Sequence, residues 1–117
     1  MTDPFPHEVA PGNDLAMLVG PIKGLNLTSG AIEVYGGATI RGFWSVAAAG
    51  ATPLGSVDRT FNQIGSTGKF VVSFEAADMD TVLTGLAQDS IVHLVLIGAT
   101  NFRGVIPFIV RTARELV

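Results

Sequence analysis

The sequence predicts an all-β domain, an antiparallel sandwich of seven to eight short strands with one short helical turn. Three observations carry this. Short apolar runs recur between glycine- and proline-bearing turn signals at roughly 8–12-residue intervals, the rhythm of small sandwiches and barrels. The amphipathic helices that alternate with strands in a parallel α/β fold are missing. The stretch at 90–111, SIVHLVLIGATNFRGVIPFIVR, holds two β-rich runs joined by a glycine-bounded polar turn, which reads as a hairpin.

Taken in order, residues 1–13 form an extended N-terminal arm, because Pro4, Pro6 and Pro11 each push the preceding residue out of the helical region. With little to pack, such an arm is expected to be held by a neighbouring chain rather than by its own domain. Residues 14–117 form a single sandwich domain. Its strand candidates are 14–19, a half-buried edge segment at 22–27, then 31–35, 38–46, 60–64, 69–74, 91–97 and 105–110. Trp44, the only tryptophan, lies in the fourth of these and is the largest apolar group available to fill a core. Phe70, Val72 and Phe74 share one face of the sixth.

The run at 91–97 is apolar at successive positions except for His93, so both of its faces should be buried. Pro107 marks its partner as bulged or as a sheet edge. The one helical stretch is 75–87, where Met79, Val82, Leu83 and Leu86 repeat at helical spacing and Asp78 can cap. With Gly85 inside, it should be one or two turns rather than a packed helix. A further turn is expected at 112–117.

At 117 residues the chain is long enough for one core. Apolar residues make up 48% and charged residues only 15%, against about 25% in an average soluble domain. No apolar run reaches the 18–20 residues or so that a spanning helix needs, so no membrane span is expected. Nor is a secretory signal, since a basic stretch followed by an apolar one is missing from the start of the chain. A charge-poor small domain is expected when much of its outside becomes interface, which points to a homo-oligomer. Net charge is −3 and the seven Lys and Arg are scattered, so nucleic acid is not an expected partner. Without cysteine, disulfides and thiolate metal sites are excluded.

No reading of the residues yields catalytic chemistry or a cofactor. Gly65-Ser-Thr-Gly-Lys69 lacks the glycine spacing and following helix of a phosphate loop and reads as a turn. Glu75, Asp78 and Asp80 form the one acidic cluster, but the calcium-loop pattern is absent, so a cap and solvated carboxylates are expected. His93 has only His7 as a possible fellow ligand, which favours a histidine satisfied by neighbouring backbone or placed at an interface. The candidate interface residues are Phe5 and His7 in the arm and Asn101, Phe102 and Arg103 at the hairpin tip. Aromatic and arginine side chains on an exposed turn are the types enriched at binding hot spots. The tip has a second reading, an ordinary turn with Phe102 folded onto the sheet. A groove lined by Trp44, Phe102 and Asn101 would make the domain a small-molecule or carbohydrate-binding module instead.

Gly37-Ala-Thr-Ile-Arg-Gly-Phe-Trp44, Gly50-Ala-Thr-Pro-Leu54, Gly68-Lys-Phe-Val-Val-Ser-Phe74, Ala77-Asp-Met-Asp-Thr81 and the closing hairpin follow one another in an order that resembles the small immunoglobulin-like domains of tailed-bacteriophage virion proteins, including the N-terminal domain of baseplate upper proteins. Ile91 and His93 stand where such domains often carry a tyrosine. The resemblance implies an immunoglobulin-like β-sandwich and a non-enzymatic structural role in the virion, assembled in the host bacterial cytoplasm. It further implies multiple copies at the neck, tail or baseplate or as capsid decoration, with other virion structural proteins as partners.

Overall fold

The computed structural model describes residues 7–99 and 102–111. Among them lie nine strands and one α-helix: β1 (Glu8–Val9), β2 (Leu15–Val19), β3 (Lys23–Leu25), β4 (Ile32–Val34), β5 (Thr39–Ser45), β6 (Asp58–Asn62), β7 (Phe70–Phe74), α1 (Ala76–Leu83), β8 (Ile91–Gly98) and β9 (Arg103–Val110), with a 3-10 turn at Leu54–Ser56. All eight expected runs appear as strands, and the ninth comes from the arm. The expected turn at 112–117 lies outside the described residues.

The fold is mostly β, built on a five-stranded sheet of order β1-β9-β8-β5-β6. It is not purely antiparallel: β1 runs parallel to β9, with Glu8 opposite Ile109 and Val9 opposite Val110. The β2–β7 pair forms a second layer, and β3 pairs with β4 alone. Strands β6 and β7 meet only near their turn, at the Gln63–Phe70 bridge and the Ile64 N–H to Lys69 carbonyl bond, and splay apart beyond it.

The inner face of the main sheet carries Ile40, Trp44, Phe61, Val92, Leu94, Leu96 and Phe108; Phe70, Val72 and Phe74 of β7 close over it. Trp44 is fully buried, as expected, and stacks edge-on against Phe74 of one layer and Phe108 of the other, at 5.5 and 4.9 Å between ring centroids. Two inner-face glycines make room for rings. A Cβ on Gly42 would lie 2.8 Å from the Phe61 ring, and one on Gly98 would collide with the Tyr35 hydroxyl.

Three expectations are corrected. The arm, in its described part from His7 on, docks on its own domain: Ile109 N–H donates to the His7 carbonyl, Arg111 N–H to the Val9 carbonyl, and Val9 and Ala10 are buried. The segment was short of its own hydrogen-bond partners, and the exposed end of β9 supplies them. The helix does pack, burying Met79, Val82 and Leu83 in the core. Its cap is not Asp78: the Ala76 N–H is satisfied by Asp14 Oδ1 at 2.7 Å, from the far side of the sequence.

Pro107 sits on an edge, as its missing N–H requires. Residues 107, 109 and 111 present their backbone nitrogens to the same side of β9, and the last two bond β1, so the imide nitrogen of Pro107 faces the open stretch beyond β1.

Trp44→Ala is expected to cost about 3–5 kcal/mol in urea unfolding, because the cavity would sit between the two layers. Gly42→Val, by overpacking the same space against Phe61, is expected to cost about 1–3 kcal/mol.

Candidate interaction surface

The β3–β4 ribbon leaves the body of the domain. At its base Ile22 and Tyr35 point inward, Ile22 packed against the core and Tyr35 within it. Two backbone bonds anchor it there, from Ile22 N–H to the Gly68 carbonyl (2.8 Å) and from Tyr35 N–H to the Ile22 carbonyl (2.9 Å). Beyond that level the alternation changes sense. The register pairs Lys23 with Val34, Gly24 with Glu33 and Leu25 with Ile32. Gly24, Asn26 and Glu33 therefore continue the inward side, where the Asn26 side chain donates to Glu33 Oε1 at 3.0 Å. Leu25, Ile32 and Val34 fall on the other side and are 56, 67 and 41% exposed, and Leu27, in the turn beyond them, is 88% exposed. The ribbon is apolar outward and polar inward, the reverse of a sheet packed on its own core.

The tip is held by local bonds. Asn26 Oδ1 accepts from the Thr28 and Ser29 amides, and Gly30 N–H donates to the Asn26 carbonyl at 2.7 Å, with Gly30 at φ +75° closing the turn. Of the half-buried edge expected at 22–27, Ile22 and Asn26 are half-buried, whereas Lys23–Leu25 and Leu27 are exposed, because the ribbon has no second layer above it.

Under the ribbon's polar side runs an open cleft of about 490 Å3, floored by Tyr35 and Phe102 and rimmed by Lys23, Asn26, Glu33 and Ala99. The Tyr35 hydroxyl clamps this region, donating to the Thr39 carbonyl (3.0 Å) and accepting from the Ala99 amide (2.6 Å).

The residues singled out from the sequence do not come together. Phe5 and Asn101 lie outside the described residues. His7 stacks on Phe108, with centroids 5.1 Å apart, inside its own domain. Phe102 is half-buried and packs toward Tyr35 at 5.9 Å, the folded-down reading of the hairpin tip. Arg103 is exposed, yet its guanidinium donates to the Ala48 and Gly50 carbonyls and draws the loop after β5 along the outer face of the sheet, where Phe43 and Val95 are buried. Trp44 cannot line a groove, since it is wholly within the core.

Two members of the acidic cluster, Glu75 and Asp78, stay together beside Arg59. Asp78 accepts a bidentate pair from Arg59, at 2.6 and 3.2 Å, and this hydrogen bond, with the attraction of the two charges, raises the Arg59 pKa above its ordinary value. Asp58 does the same to Arg41 across β5 and β6. Among the described residues no three His, Asp or Glu side chains are grouped to hold a metal ion. His93 lies on the outer face of the sheet, opposite Ser45 and Pro107 in register, on the other side from α1 and its carboxylates. Its Nδ1 is buried and has no hydrogen-bond partner, so the expected backbone partner is not found there.

Sequence reasoning passed over the ribbon as a surface, although a signal was present. Ile22 is apolar at an even position, whereas Leu25 and Leu27 are apolar at odd ones; Ile32 and Val34 precede Tyr35 in the same offset way. Both strands slip phase at one level, which marks where the ribbon departs from the core.

Comparison with protein-family models finds no match, and searches of curated proteins and of solved structures find none either. Among the described residues, no helix is long and apolar enough to cross a membrane.

Replacing Leu25 and Leu27 together by Asn is expected to lower binding of a hydrophobic dye while changing stability by no more than about 0.5 kcal/mol per site, since neither side chain packs in the fold. Tyr35→Phe, which strands the Ala99 amide and Thr39 carbonyl, is expected to cost about 1–3 kcal/mol in the same unfolding assay.

Proposed function

We propose that this protein is a non-enzymatic structural component of a tailed-phage virion. It assembles in multiple copies at the neck, tail or baseplate, or as capsid decoration, through a domain of the immunoglobulin-like sandwich class. The observation that carries the assembly reading is the cluster of exposed aliphatic side chains on the β3–β4 ribbon, Leu25, Leu27 and Ile32, which no other strand of the described residues pairs with or covers. Exposed apolar surface of this kind costs solubility and is kept where a partner covers it. A charge content of 15% fits a chain whose surface is shared with neighbours. The virion setting rests on the order of the sequence features from Gly37 to the closing hairpin.

A second reading is favoured by the cleft beneath the ribbon. Its aromatic floor of Tyr35 and Phe102 and its polar rim of Lys23, Asn26 and Glu33 are the elements of a small-molecule or carbohydrate site. Buried Trp44 does not report on it, so the discriminating measurement is the backbone amide shifts of Ala99 and Phe102 during titration with mono- and disaccharides.

Co-expression with the genes flanking its own, followed by sedimentation, tests the leading reading. The protein is expected to travel with a large particle or subassembly. Sedimentation as a free monomer in the presence of those products, with saccharide-dependent shifts at Ala99 and Phe102, would replace it with the second.

A further inference from the structure

We infer that the cleft beneath the β3–β4 ribbon takes an uncharged pyranose sugar, whose C–H face lies on Phe102 and whose hydroxyls meet the Glu33 carboxylate. The inference deepens the second reading above and rests on it, naming the ligand class of that cleft.

The two walls of the cleft differ in kind. The floor is apolar. The Tyr35 hydroxyl already donates to the Thr39 carbonyl and accepts from the Ala99 amide, so it has no donor left for a ligand. Phe102 packs beside Tyr35 with centroids 5.9 Å apart, and its ring also lies over Gly104, where a Cβ would come within 3.2 Å of it. Contacts on two sides hold the ring in place, yet it stays only half-buried. A fixed aromatic ring at the base of a cleft is a platform for a flat apolar face.

The opposite wall is polar. Asn26 Oδ1 accepts from the Thr28 and Ser29 amides, which fixes the side chain, and its Nδ2 donates to Glu33 Oε1 at 3.0 Å. Asn26 is thus a positioning residue for the carboxylate. A carboxylate can accept about four hydrogen bonds, and among the described residues Glu33 receives this one. No described cation forms an ion pair with it, whereas Asp58 and Asp78 each hold an arginine. Its remaining acceptor sites are open to a ligand.

Charge selects among ligands. Lys23 lines the same cleft, so the rim carries one positive and one negative group. An anion would be repelled by Glu33 and a cation by Lys23. A hydroxyl both donates and accepts, which suits a rim that pairs an acceptor-only carboxylate with a donor-only ammonium. A wholly apolar ligand would strip water from Glu33 without replacing its hydrogen bonds, which is a penalty. A ring with one C–H face and hydroxyls around its edge satisfies floor and wall together. The volume of about 490 Å3 lies within the range of about 300–1,000 Å3 usual for such sites.

The test follows the backbone amides of Gly24, Ala99 and Phe102 by NMR during titration. The probes are the methyl α-pyranosides of glucose, galactose and mannose, their fully O-methylated forms, benzoate and benzylamine. Glucan, galactan and mannan are added in parallel, since a free sugar and a unit of a polysaccharide offer the same chemistry. At least one pyranoside is expected to move these amides at millimolar concentration, and its O-methylated form to bind at least about tenfold more weakly. Glu33→Gln is expected to weaken that pyranoside at least about tenfold, and Phe102→Ala about fivefold. Urea unfolding confirms that each variant is folded. Glu33 is exposed, so its variant carries the test if Phe102→Ala does not fold.

Tighter binding of benzoate or benzylamine than of every pyranoside would overturn the sugar assignment and leave the cleft a small-molecule site. Pyranoside binding indifferent to Glu33→Gln or to O-methylation would do the same. If no probe moves these amides at tens of millimolar, the sugar assignment and the second reading fall together.

Discussion

The stacking of Trp44 between Phe74 and Phe108 is the contact on which the rest of the fold depends. It joins β5 and β9 of the large sheet to β7 of the small one, and Phe61 extends the chain of rings by packing on Phe74 at 5.5 Å. Two layers joined along so little backbone pairing would otherwise slide, because β6 and β7 share only one bridge. Large rings in edge-on contact hold them in one relative position, since aromatic pairs favour a restricted set of geometries. The absence of side chains at Gly42 and Gly98 is part of the same arrangement, because a methyl at either would displace Phe61 or Tyr35.

With the rings in place, hydrogen-bonding needs settle the periphery. The splayed end of β6 is tied to α1 through Arg59 and Asp78, and α1 is tied to the start of β2 by Asp14. The end of β9 takes up the arm as a parallel strand, and Arg111 bonds both Glu8 and Asp89 to lock that corner. Pro107 sits where β9 has no need of a donor toward β8. These ties keep long-range segments in register without adding to the core.

The ribbon is the one element governed by neither the rings nor the sheet. Its base is core, through Ile22 and Tyr35, and its outer reach is not. The phase slip between Ile22 and Leu25, repeated between Val34 and Tyr35, turns an amphipathic pattern inside out, so that the aliphatic side faces away from the domain. Local bonds around Asn26 preserve its shape. Such a pattern is inconsistent with the chain's own core and consistent with a core shared with another molecule.

The strands were legible in the sequence because alternation and turn residues act locally: 69–74, 91–97 and 105–110 need only their own neighbours to declare themselves, and Trp44 is too large to lie elsewhere than in the core. The edge role of Pro107 was one of two legible readings, since a missing donor is tolerated at a sheet edge or at a bulge. Pairing partners were not legible. That the arm would return to β9 in parallel, that Asp14 rather than Asp78 would cap α1, and that Phe102 would fold onto Tyr35 depend on segments some 60 to 100 residues apart meeting in space. The sequence by itself determined the strands and the largest piece of the core, through the period of its apolar residues. Only the tertiary structure decided which apolar face had a layer above it, because burial belongs to the pair of surfaces and not to either strand alone.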